Sequence, residues 1–261
     1  MTTSIDFGRT AEDYGRYRAG FPQAFFDRVA GYGLGLPGQR LLDLGTGTGS
    51  LARGFARRGC RVTAVDPAPA LLAEARRLDG RAEVDIRYVR AIAEETGLPG
   101  GGFDVVTAGQ CWHWFDRPRA AREVRRLLVP GGRLAIAHFD WLPLPGNVVE
   151  ATEQLIRQHN PAWNLGGGSG LYPAWLRDVA VAGFLDIETF SFDVAAPYSH
   201  QAWRGRIRAS AGVAASLSPE QVARFDADLK HLLAERFPAD PLAVPHRVFA
   251  VICRAPGGVA S

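Results

Sequence analysis

The sequence contains little lysine, methionine and cysteine for its 261 residues. Lys230 is its only lysine, so arginine supplies nearly all of the 30 basic residues, which 27 acidic residues balance to a net charge of +3. The densest arginine groups have helical spacing and predict solvated helix faces. They are Arg53 with Arg57 and Arg58, Arg76 with Arg77, and Arg122 with Arg125 and Arg126. No basic run carries interleaved aromatic residues for base stacking, which argues against a nucleic-acid partner.

Cysteine is scarce as well, and its three positions are Cys60, Cys111 and Cys253, with no Cys-x-x-Cys pair. An odd number of cysteines in apolar, strand-like segments predicts reduced, packed thiols rather than a disulfide framework. No apolar run approaches the ~18 residues that a membrane span needs. The first residues also lack the basic and apolar regions of a secretory signal. We therefore expect a cytoplasmic protein with no membrane partner.

Apolar residues make up 47% of the chain, which is enough for a sizeable hydrophobic core. Strand-like segments alternate with helix-like ones. We predict strands at 40–44, 61–65, 86–89, 103–109, 133–138, 184–192 and 247–254. We predict helices at 25–32, 50–58, 69–78, 117–129, 148–158, 173–181, 202–211 and 219–236, with Asp116 as a helix cap and Pro130-Gly131-Gly132 as a helix stop. This alternation predicts an α/β fold with a parallel sheet, in which ligands bind outside the carboxyl ends of the strands.

Three glycines follow the first predicted strand, at Gly45, Gly47 and Gly49 in the stretch LLDLGTGTGSLA. A glycine in regular structure costs about 0.5 to 1 kcal/mol relative to alanine, which suggests that a ligand comes close to the backbone here. The spacing differs from the dinucleotide pattern G-x-G-x-x-G. Asp43 lies within the strand, and Asp66 ends the second strand, where a carboxylate can accept hydrogen bonds from ribose hydroxyls. Two plainer alternatives are helix–strand packing for the glycines and a helix cap for Asp66.

At these residues the chain resembles the class I S-adenosylmethionine (SAM) dependent methyltransferases, over roughly residues 14–133. LDLGTGTG is similar to the first motif of that family, and AVDPAPALL to its ribose-binding second strand. AIAEETGLP with FDVV resembles its adenine segment and fourth strand, and REVRRLLVPGGRLAI its helix before the fifth strand. AEDYGRYRAGFP resembles the N-terminal Tyr/Arg segment of many small-molecule members, and GQCWHWFD a variant of the segment after strand four.

The resemblance implies a doubly wound, mostly parallel seven-stranded sheet, the Rossmann-like methyltransferase fold, with helical cap insertions. It also implies one domain over residues 1–261. Within that domain we expect an N-terminal helical lid segment at 1–38, a SAM-binding core at 39–140, and a cap insertion with the C-terminal strands at 141–261. A monomer or homodimer is expected.

The resemblance also implies which residues bind SAM. Those expected at the methionyl end are Gly45, Thr46, Gly47 and Gln110, with Tyr14 and Arg18 closing over the carboxylate. Asp43 and Gly49 also belong to the expected cofactor-binding set. Those expected at the adenosine are Asp66 on the ribose, and Pro67, Ala93 and Glu94 around the adenine. Many relatives carry an Asp just before the residue that Ala93 matches, and this chain has Ile92 there. Tyr14 and Arg18 could instead be surface residues, and Gln110 could merely satisfy nearby backbone groups.

The reaction that the resemblance implies is transfer of a methyl group from SAM to a small, partly apolar organic acceptor, with S-adenosylhomocysteine as product. An oxygen or nitrogen acceptor usually needs a base, for which His113 is the best-placed imidazole and His138 the second candidate. His113 could also merely pack between Trp112 and Trp114. Metal-assisted transfer is not expected, because the strand ends lack a cluster of hard oxygen ligands.

Aromatic residues in the second half of the chain could roof the acceptor pocket or simply form core. They are Trp141, Trp163, Tyr172, Trp175, Tyr198, His200 and Trp203. Two other functions are also compatible with this sequence. One is a SAM-binding protein without methyl transfer, and the other, less favoured, is a nicotinamide-dependent oxidoreductase that uses the same strand, turn and helix.

Overall fold

The computed structural model describes residue 17 and residues 19–257 of the chain. Its strands are β1 (Arg40–Leu44), β2 (Arg61–Val65), β3 (Ile86–Val89), β4 (Phe103–Gly109), β5 (Leu128–Trp141), β6 (Leu185–Tyr198) and β7 (Leu242–Arg254). Its helices are α1 (Gln23–Gly31), α2 (Ser50–Ala56), α3 (Pro69–Ala82), α4 (Arg117–Leu127), α5 (Val148–His159), α6 (Ala174–Val181), α7 (His200–Arg208) and α8 (Pro219–Arg236). The first four strands have the predicted bounds.

The segment around Pro130 differs from the prediction. Helix α4 begins after Asp116, whose side chain accepts a hydrogen bond from the Arg119 amide, so the predicted cap is confirmed. The helix already ends at Leu127, however, and Pro130-Gly131-Gly132 lies inside β5. Leu128 takes extended backbone angles and pairs with Phe103 of β4, and the register then shifts before the next pair. Pairing with a neighbouring strand therefore ends the helix earlier than its local sequence predicts.

The seven strands form one sheet in the order β3-β2-β1-β4-β5-β7-β6. The pairs β1–β2, β1–β4, β2–β3 and β4–β5 are parallel. Strand β7 runs antiparallel to β5, since Ala255 donates to the carbonyl of Gly132 at one end and Leu142 to that of Pro245 at the other. The prediction of a mostly parallel, doubly wound seven-stranded sheet is confirmed.

The strand order reverses between β1 and β4, which lie side by side in the middle of the sheet. Residues of β1 are buried after the first one, and β4 is buried over most of its length. Such near-continuous apolar strands are typical of a parallel sheet covered on both faces. A reversal of this kind leaves a crevice outside the carboxyl ends of the two strands. Gly45 and Gln110 are the first residues beyond those ends.

The chain divides into two compact units. Of the described residues, the core unit contains Gly20–Phe139, Tyr172–Phe192 and 248–257, and the insert unit contains residues 17 and 19 with Asp140–Leu171 and Asp193–Arg247. The core unit has a continuous apolar cluster built on β1, β4, β5, α4 and α6. The prediction of one domain with segments at 1–38, 39–140 and 141–261 stays a prediction.

All three cysteines are free and buried, as the sequence predicts. Among the residues that the structure describes, no helix is both long enough and apolar enough to cross a membrane.

Candidate cofactor and acceptor site in the core unit

The three glycines of the loop after β1 serve different purposes. All have positive φ, at +61° for Gly45, +56° for Gly47 and +76° for Gly49, a conformation that side chains rarely adopt. A Cβ at Gly45 would lie 2.9 Å from the sulfur of Cys111, and one at Gly49 would lie 2.6 Å from the hydroxyl of Tyr88. A Cβ at Gly47 would meet no protein atom within 4 Å. Packing therefore requires glycine at two of these positions, while the third leaves backbone open to a ligand.

Asp43 lies beneath this loop with only 1% of its surface exposed. Its carboxylate accepts hydrogen bonds from the hydroxyls of Thr46, at 2.6 Å, and of Thr107, at 2.7 Å. Burial raises the pKa of Asp43 to about 6, against the two hydroxyl bonds that lower it. A nearly fully buried carboxylate is costly, and two short hydrogen bonds hold this one in place.

Asp66 connects the two sides of the crevice. One carboxylate oxygen accepts from the amide of Gly47 at 2.9 Å, and the other accepts from the amide of Ala68, also at 2.9 Å. Ala68 is the N-cap residue of helix α3, so this second hydrogen bond lies at the amino end of that helix. Burial raises the pKa of Asp66. Each oxygen has a second lone pair, which leaves acceptor capacity for hydroxyl groups of a ligand.

The predicted adenine segment follows β3. Ala93 is buried, in a tight turn where Ile92 bridges to Glu95. Glu94 accepts a hydrogen bond at 2.7 Å from the amide of Asp116, the cap residue of α4. Its carboxylate therefore ties the adenine segment to the start of α4. Pro67 is exposed, next to Asp66.

The backbone at Gln110 is strained. Its φ is +61°, which is uncommon for a residue other than glycine, and its amide donates to the carbonyl of Ala137 in β5 at 2.8 Å. The next side chain, Cys111, donates to the carbonyl of Leu44 at 3.1 Å. Strain of this kind persists only where the surroundings fix it, and it clusters at functional sites.

The aromatic segment after β4 has one buried and one exposed tryptophan. Trp112 is fully buried, and its indole NH donates to Asp178 of α6 at 3.1 Å. Trp114 is 48% exposed, and its ring lies 4.6 Å from the ring of His113, which is also exposed. The buried indole fixes the segment, and the rings of His113 and Trp114 lie at the surface of the core unit.

The two candidate catalytic imidazoles lie close together. The rings of His113 and His138 are 5.4 Å apart, centre to centre. His138 is 6% exposed, and its Nδ1 lies 3.3 Å from the hydroxyl of Tyr172. Tyr172 stacks on Trp175 at 4.3 Å. These rings form an aromatic wall that contains two imidazoles.

The structure thus brings most of the predicted residues together at one end of the core-unit sheet. They are Asp43, Gly45, Thr46, Gly47, Gly49, Asp66, Pro67, Ala93, Glu94, Gln110, His113 and His138. Tyr14 and Arg18 lie outside the described residues. Of the predicted roof aromatics, Tyr172 and Trp175 belong to the core unit, and the other five belong to the insert unit. Nowhere in the described chain do three or more His, Cys, Asp or Glu side chains form a group that could hold a metal ion.

Sequence reasoning missed several residues that support the site. Thr107 pairs in register with Asp43, so a threonine inside an apolar strand was the available signal. The prediction that Arg53 belongs to a solvated helix face is wrong, because 11% of its side chain is exposed and it forms an ion pair with Asp79. The local sequence around Arg53 does not indicate whether its side chain is exposed to solvent or buried in an ion pair.

Comparison of the sequence with known proteins identifies methyltransferases. Residues 42–136 match a family model described as a methyltransferase domain. An uncharacterized methyltransferase of Mycobacterium tuberculosis is 38% identical over 133 residues, which are 51% of this chain and 51% of that protein. The chain therefore spans about half the length of this relative. A ubiquinone biosynthesis O-methyltransferase of Xanthomonas oryzae pv. oryzae is 30% identical over 180 residues, 68% of this chain and 73% of that protein.

A solved structure has the same fold. Phosphoethanolamine N-methyltransferase 2 of Haemonchus contortus, in complex with SAM, superposes with a TM-score of 0.57 at 22% identity. The match covers 95% of this chain and 56% of that one.

Proposed function

The chain belongs to the class I SAM-dependent methyltransferases, and from that premise we propose that it methylates a small, partly apolar organic molecule. SAM is the cofactor. The observation that carries the proposal is the hydrogen bond from the Gly47 amide to Asp66. It places open backbone at the end of β1 beside a carboxylate at the end of β2. A ligand with an amino-acid end joined to a ribose can contact both at once.

The residues at this crevice fit such a ligand. The open face of Gly47 admits close approach, and the lone pairs left on Asp66 suit ribose hydroxyls. Asp43 adds negative charge beneath the loop, which favours a cationic ligand. In this proposal the methionyl end is held by Gly45, Thr46, Gly47 and Gln110 with Tyr14 and Arg18, and the adenine by Pro67, Ala93 and Glu94.

When bound, SAM supplies a methyl carbon on a sulfonium, which an acceptor displaces in line to leave S-adenosylhomocysteine. A chain that bound the reacting cation tightly would gain nothing in rate, because only interactions that strengthen in the transition state accelerate a step. The main contribution of this chain is positioning, which can supply on the order of 7 to 11 kcal/mol. The hydrogen bonds of the Gln110 amide to Ala137 and of the Trp112 indole to Asp178 support the crevice in one conformation.

A base is needed where the accepting atom carries a proton. His113 takes that proton, since it is exposed beside the aromatic wall and an imidazole titrates near neutral pH. His138 lies beside it and orients the acceptor, and the contact of its Nδ1 with Tyr172 fixes its ring. Trp114 offers an apolar face and a modest cation–π interaction of roughly 0.5 to 2 kcal/mol.

The acceptor is a small molecule in this proposal, as in the relative whose name is ubiquinone biosynthesis O-methyltransferase. Trp114, the exposed side chain next to His113, is aromatic rather than basic, which suits an uncharged organic acceptor.

Calorimetry tests the proposal directly. We expect SAM and S-adenosylhomocysteine to bind with saturable heat, and NADH to give none. Saturable binding of NADH without binding of SAM at millimolar concentration would reverse the assignment to an oxidoreductase. Release of labelled methyl from SAM to a panel of small acceptors then separates a methyltransferase from a protein that only binds SAM.

Asp66 gives a sharper prediction. Asp66→Ala removes two hydrogen bonds to a charged group, each worth roughly 1.5 to 3 kcal/mol, and should weaken SAM at least about tenfold. The same change also releases the Gly47 amide, so the ribose role needs its own measurement. Wild-type protein should prefer S-adenosylhomocysteine to its 2′-deoxy analogue, and the variant should bind both alike.

A matched control comes from the other end of the sheet. Asp104 also accepts a backbone hydrogen bond, from the Arg40 amide at 2.8 Å, at the amino end of β4. Asp104→Ala should leave SAM affinity within about twofold. An Asp66 variant that still discriminates the 2′-deoxy analogue as wild type does would remove the ribose assignment.

A further inference from the structure

A buried ion pair lies next to the glycine loop. Arg53 of α2 and Asp79 of α3 are hydrogen-bonded through Nη1 and Oδ1, with 11% and 7% of their side chains exposed. Removing two charges from water is costly and is repaid only when further hydrogen bonds complete the pair. Both partners have such bonds.

The first additional bond belongs to Asp79. Its second oxygen accepts from the hydroxyl of Tyr88 in β3 at 2.7 Å. Burial, with the hydrogen bond and charge of Asp79, raises the pKa of the Tyr88 phenol, so the hydroxyl stays a donor. The ring of Tyr88 is also covered by the guanidinium of Arg76, 5.3 Å from its centre. Tyr88 of β3 therefore helps to fix the position of the Asp79 carboxylate.

The second additional bond belongs to Arg53 and reaches the loop itself. Its Nη2 donates to the carbonyl of Thr48 at 2.6 Å. The network also fills the space beside the last loop glycine, because a Cβ at Gly49 would lie 2.6 Å from the Tyr88 hydroxyl and 3.1 Å from Nη1 of Arg53. A chain of hydrogen bonds thus runs from β3 through α3 and α2 to the peptide between Thr48 and Gly49.

We propose that Tyr88, Asp79 and Arg53 are positioning residues that hold the glycine loop in the conformation that receives the amino-acid end of SAM. The inference rests on the proposed function, since that gives the loop its ligand. None of the three reaches the open face of Gly47, so they act through the Thr48 carbonyl and the backbone turn. Groups that orient a binding loop from behind commonly decide how well its own atoms meet the ligand.

The test compares two ligands that differ only at the end that the loop holds. S-adenosylhomocysteine has the same amino-acid end as SAM, and 5′-methylthioadenosine is the same adenosyl thioether without it. Tyr88→Phe should weaken binding of S-adenosylhomocysteine about fivefold, which is less than the full effect of one hydrogen bond to a charged group, and should leave the affinity for methylthioadenosine within about twofold. Arg53→Lys keeps the charge but loses the fork that joins Asp79 to Thr48, and should give the same pattern.

Val105→Ala is the control, since Val105 is a fully buried residue of β4 near the end of the strand remote from the loop. It should lower the melting temperature and leave the affinity for both ligands unchanged. If Tyr88→Phe and Arg53→Lys bind both ligands as wild type does, or weaken both equally, the positioning role is overturned. Failure of the wild-type protein to bind SAM would instead remove the proposed function, so the two failures are distinguishable.

Discussion

At the scale of the residue, two carboxylates in the crevice are buried at an energetic cost. Asp43 has its pKa raised to about 6 by burial, and Asp66 has its pKa raised for the same reason. A protein that needed only stability would gain by replacing such groups with apolar or amide side chains. Groups with perturbed pKa values in a crevice are typical of functional sites.

Asp43 makes SAM affinity depend on pH. Ionised Asp43 attracts a cationic ligand, so the affinity of wild-type protein should rise as pH increases through about 6. Asp43→Asn removes that titration, and the difference between the two binding curves isolates it from the titration of SAM itself. Calorimetry at a series of pH values between about 5 and 8 measures the difference.

Ionisation of Asp43 should lower the stability of the folded protein, whereas it should raise the affinity for SAM. Because the pKa of Asp43 is higher in the folded protein than the ordinary value of 3.8, its stability contribution is greatest at low pH and declines between about 4 and 6. Asp43→Asn should therefore gain free energy of unfolding relative to wild type over that interval. Parallel pH profiles for the two proteins would contradict the buried, titrating carboxylate.

His113 is the residue on which the chemistry of transfer is proposed to depend. His113→Ala should lower turnover by about 10²-fold or more where the acceptor gives up a proton, because a positioned base typically contributes 10² to 10⁴. SAM affinity should stay within a few-fold. Single-turnover transfer of labelled methyl to an acceptor found in the panel measures the first quantity, and calorimetry the second.

His159 serves as the control for that change, since it bonds Asp228 at 2.9 Å within the insert unit. His159→Ala should leave methyl transfer unchanged. Loss of SAM binding together with turnover in His113→Ala would show that His113 has a structural role.

At the scale of the element, the turn from β1 into α2 contains glycines that protein packing requires and one glycine whose open face is proposed to contact the ligand. Gly49→Ala should destabilise strongly, because its Cβ would meet the Tyr88 hydroxyl at 2.6 Å. Gly47→Ala has room within the protein and should cost only about 1 to 2 kcal/mol for its left-handed backbone. Its methyl group would occupy the open face, so SAM affinity should fall at least about tenfold. Denaturant unfolding and calorimetry measure the two effects.

Gly80 of α3 gives the matched control, because a Cβ there meets nothing within 4 Å and its φ is not positive. Gly80→Ala should raise the free energy of unfolding by about 0.5 to 1 kcal/mol without a change in SAM affinity. Retained SAM affinity in Gly47→Ala would mean that the open face is not where the cofactor lies.

The elements also show what local sequence misses. The bounds of β1 to β4 follow from short strand-like runs in the sequence, and the structure confirms them. The end of α4 does not follow in this way. Its sequence supports a helix to Val129, yet Leu128 pairs with Phe103, and such long-range pairing overrides local propensity.

At the scale of the whole molecule, ligand binding should stabilise the folded protein. S-adenosylhomocysteine at a hundred times its Kd adds about 2.7 kcal/mol, which corresponds to a rise in Tm of roughly 5 to 10 °C. NADH at the same concentration should leave Tm unchanged. A thermal melt with and without each nucleotide makes the measurement, and an equal response to both, or none to S-adenosylhomocysteine, contradicts the proposed site.

The sequence alone determined the fold class, the position of the glycine loop and the family. These follow from short-range patterns: apolar period, glycine spacing, and carboxylates at fixed distances along the chain. It also identified Asp43 and Asp66 as unusual, since a charge inside or directly after an apolar strand is visible without coordinates.

Only the tertiary structure decided what those residues contact. The hydrogen bonds of Thr107 with Asp43 and of Tyr172 with His138 join residues that are 64 and 34 positions apart in the sequence. Those of Tyr88 with Asp79 and of Arg53 with Thr48 join different parts of the fold around the glycine loop. Whether a glycine packs against protein or faces open space depends on those distant neighbours as well. A one-dimensional pattern records which residues a strand or helix presents, and the folding of the sheet determines which of them meet.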